Sequence, residues 1–273
     1  MVYEESEKSG SEGGSRIDVS RPHSARIWNY LLGGKDNYAI DRVAGDKVVE
    51  VYPGMRDVTR QSRQMLTRVV SYLAGEAGIR QFLDIGTGLP TANNTHEVAQ
   101  SIAPDSRIVY VDNDPLVLVH AQALLTSTPE GKCDYLEADV RDPETILREA
   151  ARTLDFSQPV ALMLMGIMGL VTDEQKPQSV VDHLLSALPS GSYLALYDGS
   201  DADPAYVEAI ARHNANSGAV PYTPRGIDQI ARYFDGLELL EPGVVSVERW
   251  RPQPNPWGEP VKVSCAGGLA RKP

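Results

Sequence analysis

Two cysteines in 273 residues, Cys133 and Cys265, give no basis for a disulfide framework. Each sits inside an apolar, strand-like segment, as a small buried residue of a reducing compartment would. The five histidines are scattered with no paired Cys/His spacing, so no metal site is expected. Lysine and arginine number 26 against 37 aspartates and glutamates, a formal net charge of −11. A balance that acidic offers no footprint for tracking phosphates, and no nucleic-acid partner is expected. No apolar run approaches the ~18 residues that span a bilayer, and the chain does not open on a basic-then-apolar leader. No membrane partner is expected, and the chain reads as cytoplasmic. Residues 1–20 are Glu-, Ser- and Gly-rich with scarcely an apolar side chain, which predicts a disordered tail.

The remaining length can bury a large core, and its organising stretch is QFLDIGTGLP at 81–90. Gln81 to Ile85 form an apolar, strand-like run containing Asp84, which breaks into Gly86-Thr87-Gly88. Beyond Pro90 the pattern turns helical, with Asn93, Asn94 and Thr95 available as caps. Strand, glycine turn and helix make the first half of a nucleotide-binding βαβ unit. The glycines let backbone approach a ligand, and the helix start offers unpaired N–H groups. A dinucleotide fingerprint would place a third glycine where Thr91 stands, after Pro90. Asp84 would also repel a pyrophosphate, by roughly 4 kcal/mol per charge pair at 4 Å in a surface-like dielectric. A ligand bearing an ammonium and a sulfonium would be attracted instead, and S-adenosylmethionine carries both.

The rest of the chain alternates helix and strand. Helical stripes occupy the region of Ile27, Trp28, Leu31 and Leu32, then that of Ala39 to Val49, then 57–74. Strands are expected at 107–112, 133–138, 159–165 and 192–198, with helices at 144–152, 173–188, 203–216 and 224–234 between and after them. Leu237 to Val247 and Val261 to Leu269 read as a closing antiparallel pair across a Pro-rich connection at 251–260. The expected fold is α/β: a doubly wound, mostly parallel, seven-stranded Rossmann-like sheet with an N-terminal helical cap and a C-terminal antiparallel hairpin. Its parts are a tail at 1–20, a cap at 21–78 and a ligand-binding domain at 79–273. Ligands of such sheets sit beyond the carboxyl ends of the strands. Asp84, Asp112 and Asp139 all fall there. Asp112 is placed to accept from two ribose hydroxyls and Asp139 from an adenine amino group, with the Val140 N–H offered to a ring nitrogen. Aspartate at a strand end also serves as a helix cap or turn residue, and Asp114 before Pro115 reads that way.

The order DIGTG, VYVDNDP, EADVRDP resembles the class I S-adenosylmethionine-dependent methyltransferases. SARIWNYLLGGKDNYAIDR, FLDIGTGLPT with its following THEVAQ, and GLELLEPGVVSVERWRP resemble one family more closely: the mainly actinobacterial S-adenosyl methyltransferases first catalogued as a domain of unknown function. The resemblance runs from about residue 21 to the end. It implies a methyltransferase sheet with S-adenosylmethionine held by Asp84, Gly86, Gly88, Asp112 and Asp139. Thr87, Asn113, Val140 and Met165 complete the candidate cofactor set. Pro90 departs from the third glycine found in much of the wider class.

After the fourth strand, Leu164 to Leu170 lacks the acid or asparagine and prolines that base N-methyltransferases carry, which points to a small-molecule acceptor. The methionines there pack around the cofactor or a soft apolar acceptor, or belong to the core. Candidate acceptor residues are Tyr30, Tyr38 and Arg63 from the cap, with Lys35 and Asn37 nearby, and His96 as a base. Each has a purely structural alternative, as core cover or helix-start hydrogen bonding. Tyr222 and Asp198 have no supporting pattern. A non-catalytic module that binds S-adenosylmethionine or S-adenosylhomocysteine is the second reading, and a nicotinamide-dependent dehydrogenase the third.

Overall fold

In the computed structural model, which describes residues 17–124, 126–253 and 260–273, the run at 81–85 forms β1 (Gln81–Ile85), buried along its whole length. Residues 1–16 of the expected tail and 254–259 of the Pro-rich connection lie outside the described residues. β2 (Arg107–Asp112) and β3 (Lys132–Glu137) lie to one side of β1, and β4 (Ala161–Met165) and β5 (Tyr193–Gly199) to the other, all parallel. The order therefore reverses between β1 and β4. That is the switch point at which an open sheet leaves a crevice.

Continuous apolar runs such as Ala161–Met165 suit strands covered on both faces. Phe82, Ile108, Met163 and Ala195 point to one face and Leu83, Val109, Leu162 and Leu194 to the other, the period of two expected of a strand. The first face is covered by α3 (Met55–Gly75) through Met65, Val69, Val70 and Leu73 and by α4 (Thr95–Ile102). The opposite face carries α6 (Pro143–Ala150), α7 (Pro177–Ser186) and α9 (Ile227–Arg232). α1 (Ser24–Leu31) and α2 (Ala39–Val51) contribute Ile27, Leu31, Ala44 and Val48 to the same apolar cluster as the sheet. The stretch set apart as a cap thus shares its core with the rest of the chain.

Three expectations need correction. The sheet has eight strands rather than seven. Leu237 to Val247 is divided into β6 (Glu238–Leu239) and β7 (Val245–Ser246) by Pro242, which has no N–H to donate, and Gly243 at φ +88. Both short strands pair antiparallel with β8 (Cys265–Arg271), as the expected closing antiparallel pair requires, and β8 also pairs with β5, so the closing strand is interior. The helix expected at 173–188 starts as a 3₁₀ turn, Asp173–Gln175. It resets at Lys176 (φ +53) and begins α7 on Pro177, whose fixed φ suits a first helical position. Two further helices, α5 (Pro115–Leu124) and α8 (Pro204–Asn216), follow β2 and β5.

Candidate functional site

The glycine turn is held by the strands beside it. Gly86 N–H donates to Val111 O at 2.8 Å, and Gly86 and Gly88 both take positive φ, +76 and +66. A Cβ on Gly86 would stand 2.7 Å from the Ile167 side chain, whereas one on Gly88 would meet nothing within 4 Å. Gly86 therefore serves packing, and Gly88 presents open backbone. Its N–H donates to Asp112 Oδ2 at 2.8 Å, and Asp114 N–H donates to Asp112 Oδ1 at 3.0 Å. Each Asp112 oxygen keeps a lone pair for another donor. α4 starts at Asn94, one of the three caps the sequence offered, where the Asn94 N–H donates to Glu97 Oε2 at 2.8 Å.

Asp84 is 3 % exposed, and its Oδ2 accepts from Thr95 Oγ1 at 2.6 Å. Among the described residues no donor reaches its other oxygen. Burial pushes its carboxyl up to about 6, against the Thr95 hydrogen bond and the Arg63 charge, with Asp112 adding to the rise. Asp112 is also raised by burial, opposed by the Asp114 and Gly88 N–H groups and by His23. Asp139 moves the other way, because Arg141 hydrogen-bonds it, Nε to Oδ1 at 2.7 Å, and Asn113 Nδ2 lies 3.3 Å away. Two buried carboxylates side by side, one with a bare oxygen, make a site that gains from a cation.

Asp84, Gly86, Thr87, Gly88, Asp112, Asn113, Asp139, Val140 and Met165 line one cavity, and Arg63 joins them. Tyr30, Tyr38 and His96 are not in its described lining, which corrects their placement. Tyr30 donates to Asp46 at 2.6 Å under the Arg56 guanidinium. Tyr38 lies beneath Arg26 and packs on Ala25, Leu89, Leu116 and Val117. His96 is 3 % exposed. Its backbone N–H donates to Tyr110 Oη at 2.7 Å, and that hydroxyl lies 2.9 Å from Nδ1, so His96 pins α4 to β2. Burial lowers its pKa, which suits a neutral imidazole accepting the tyrosine proton. Tyr110→Phe is therefore expected to strand the buried His96 N–H and cost about 2 kcal/mol, a drop of roughly 4–8 °C in a thermal melt. A melt unchanged from wild type would show that water reaches the pair.

The sequence profile of the S-adenosyl methyltransferase family matches residues 10–273. The chain belongs to that family. It is similar to a DUF574 family protein from Streptomyces avermitilis at 46 % identity, covering 94 % of this chain and 100 % of that one with a TM-score of 0.90. A candidate methyltransferase from Thermobifida fusca is 43 % identical over 94 % of this chain and 97 % of that one, with a TM-score of 0.86. A SAM-dependent methyltransferase from Anabaena variabilis shares the fold alone, at 13 % identity over 98 % of this chain and 100 % of that one, with a TM-score of 0.52. No curated protein matches the chain. The protein is thus an S-adenosylmethionine-dependent methyltransferase, which sets aside the dehydrogenase. No helix among the described residues is long and apolar enough to cross a membrane.

The residues present fit that cofactor: carboxylates where an ammonium and hydroxyls would lie, and open backbone at Gly88. In this methyltransferase the same cavity extends past the strand ends into a second half that was not legible in the sequence. Its walls are Ile27, Trp28 and Leu31 of α1, Leu66 of α3, Tyr197 of β5, and Tyr206, Ile210 and His213 of α8, closed by Val220 and Tyr222. Tyr222 Oη donates to Asp198 Oδ1 at 2.7 Å and accepts Gly199 N–H at 2.8 Å, so its position is fixed. Asp198 itself is fully buried behind that tyrosine, and burial pushes its carboxyl up to about 6. The spacing of Tyr206, Ile210 and His213 put them on one helix face, the one signal available. α1 is anchored over this space by buried Arg26, whose Nε lies 3.2 Å from Asp114, beside the Asp112 end of the cavity.

Proposed function

We propose that this methyltransferase acts on a small molecule that enters the second half of the cavity, and that Asp84, Asp112 and Asp139 hold the cofactor in the first. The observation that carries the proposal is the continuity of one cavity from the acidic strand ends to an apolar, aromatic chamber walled by α1, α3 and α8. Asp84 receives the ammonium on its unpaired oxygen. Arg63, expected among the acceptor residues, belongs on the cofactor side, because its charge already acts on Asp84 and its Nη2 donates to Ala92 and Asn93 carbonyls at 3.2 and 3.0 Å. It faces the methionine carboxylate. Asp112 accepts from the ribose hydroxyls, and at the adenine edge the Val140 N–H reads a ring nitrogen, while Asp139, whose oxygens already accept from Arg141 and Asn113, gives up one of those bonds to take the amino group. The bound cofactor supplies an electrophilic methyl group on a sulfonium. Around it Met165, Ile167 and Leu170 form an apolar wall that excludes water and leaves orientation to the chamber.

The test is turnover to S-adenosylhomocysteine with a cell extract divided by ultrafiltration. Product should form with the low-mass filtrate, and formation only with the retained macromolecules would overturn the small-molecule reading. Asp112→Ala removes an ionised acceptor for two hydroxyls, and S-adenosylhomocysteine affinity should fall by about 100-fold, near 3 kcal/mol, by calorimetry. Unchanged affinity would contradict the ribose assignment.

A further inference from the structure

We infer that His213 is the general base of the reaction and that the acceptor is a neutral, flat aromatic molecule presenting a hydroxyl. This rests on the methyl-transfer reading above and goes beyond it to the chemistry of the acceptor. Oxygen methylation releases a proton, and the acceptor half of the cavity holds few groups able to take it. Tyr197, Tyr206 and Tyr222 are phenols that burial holds protonated, and Tyr222 already donates to Asp198. The Cys265 thiol is raised by burial and donates to Asp198 O at 3.0 Å. Asp198 lies behind Tyr222 and is not in the described lining. His213 is left. Burial lowers its pKa, so the imidazole enters the reaction neutral.

Two geometric facts suit the role. The Ser217 Oγ, which accepts the Ala219 N–H at 3.1 Å, lies 3.4 Å from His213 Nε2. An Nε2–H tautomer donating there leaves Nδ1 with a free lone pair, and among the described residues no group engages it. His213 also lines a separate groove between α2 and α8, and with Val48 it is shared by groove and cavity. Lys47 and Glu50 from α2, and Glu208 and Arg212 from α8, are the charged groups of that groove. A proton taken from the acceptor therefore leaves by the groove side, away from the cofactor. The balance is simple. The acceptor oxygen forms its bond to carbon as the carbon–sulfur bond breaks, the sulfonium becomes a thioether, and the hydroxyl proton passes to the imidazole and on to solvent. Trp28, Leu31, Tyr206 and Tyr222 surround the acceptor with aromatic and aliphatic surface and bring no charge, which fits a neutral planar body.

The probe is 4-nitrophenol, whose absorbance separates phenol from phenolate without any turnover. It is added to protein saturated with S-adenosylhomocysteine, at about pH 6, where imidazole and phenol exchange a proton on comparable terms. Wild type should bind the probe and show a phenolate to phenol ratio about tenfold above that of His213→Gln, a shift of one unit in the apparent ionisation of the bound phenol. The variant should keep the wild-type affinity for S-adenosylhomocysteine and the wild-type melt. Equal ratios in the two proteins would overturn the base assignment. A probe that fails to bind while S-adenosylhomocysteine binds would overturn the aromatic-hydroxyl class. Failure of S-adenosylhomocysteine itself to bind would instead strike the cofactor reading on which both depend.

Discussion

Asp84→Asn should weaken S-adenosylhomocysteine binding by about 30- to 1,000-fold, some 2–4 kcal/mol, the range for removing one partner of a buried, hydrogen-bonded charge pair. The same change should leave the ligand-free protein as stable at neutral pH, or more so. The wild-type carboxyl titrates at about 6 in the folded chain, above its ordinary value of 3.8. A raised folded pKa gives stability that is complete below the unfolded value and is lost as pH rises through the folded one. Keeping Asp84 ionised at neutral pH therefore costs the empty protein about 3 kcal/mol, which asparagine escapes. The advantage of the variant should vanish below about pH 4. Wild-type affinity should climb up to about tenfold per pH unit toward pH 6 and then level off, while the variant stays flat. Calorimetry and melts across that range decide it, and a ligand-free variant that melts well below wild type at neutral pH would show Asp84 to be structural.

Gly267→Ala is the second change with a large expected effect, and it acts on stability. Gly267 sits in β8 opposite Tyr197 on one side and Val245 on the other. A Cβ there would overlap the Leu196 carbonyl oxygen and the backbone of Tyr197. Those atoms belong to a ladder buried along its length, so no flexible side chain can yield. A cost of 3 kcal/mol or more is expected, about 6–12 °C in melting temperature for a chain of this size, with loss of soluble protein. Gly75→Ala is the control. It closes α3, and its added methyl would find only Ile102 at 3.6 Å, an ordinary contact, so stability should change by less than about 1 kcal/mol. A tolerated Gly267→Ala would mean that β5 and β8 can separate without harm.

The clustering of the proposed cofactor residues was legible because its information is local. Gln81–Ile85 and Arg107–Asp112 have the bounds read from their apolar runs, and the residues at the ends of β1, β2 and β3 meet in one cavity. A parallel sheet brings equivalent strand ends together whatever lies between them. The acceptor half is assembled from Ile27 to Cys265, residues whose common property is a place in space. Tyr206, Ile210 and His213 on their own look like one face of an ordinary packed helix. Tyr30 and Tyr38 attracted notice because aromatics flank the Gly33-Gly34 break, yet Asp46 and Arg26 had prior claims on them. His96 was near in sequence to the glycine turn and faces away from its ligand side, toward Tyr110. The end of the chain was misread at one point. The segment from Leu237 to Val247 read as one arm of the closing pair, and Pro242 with Gly243 divides it into two short strands.

The interior position of β8 has a consequence for how the molecule is made. The edge of β5 that carries Tyr197, Asp198 and Gly199 finds its neighbour only when residues 265–271 have left the ribosome. Until then the nascent chain shows a long, apolar, unpaired strand edge, a template for other chains. The proposed acceptor chamber is thus completed only after β8 has emerged. Ribosomes that stall shortly before Cys265 should yield a species able to form the β1 turn but prone to aggregate through β5.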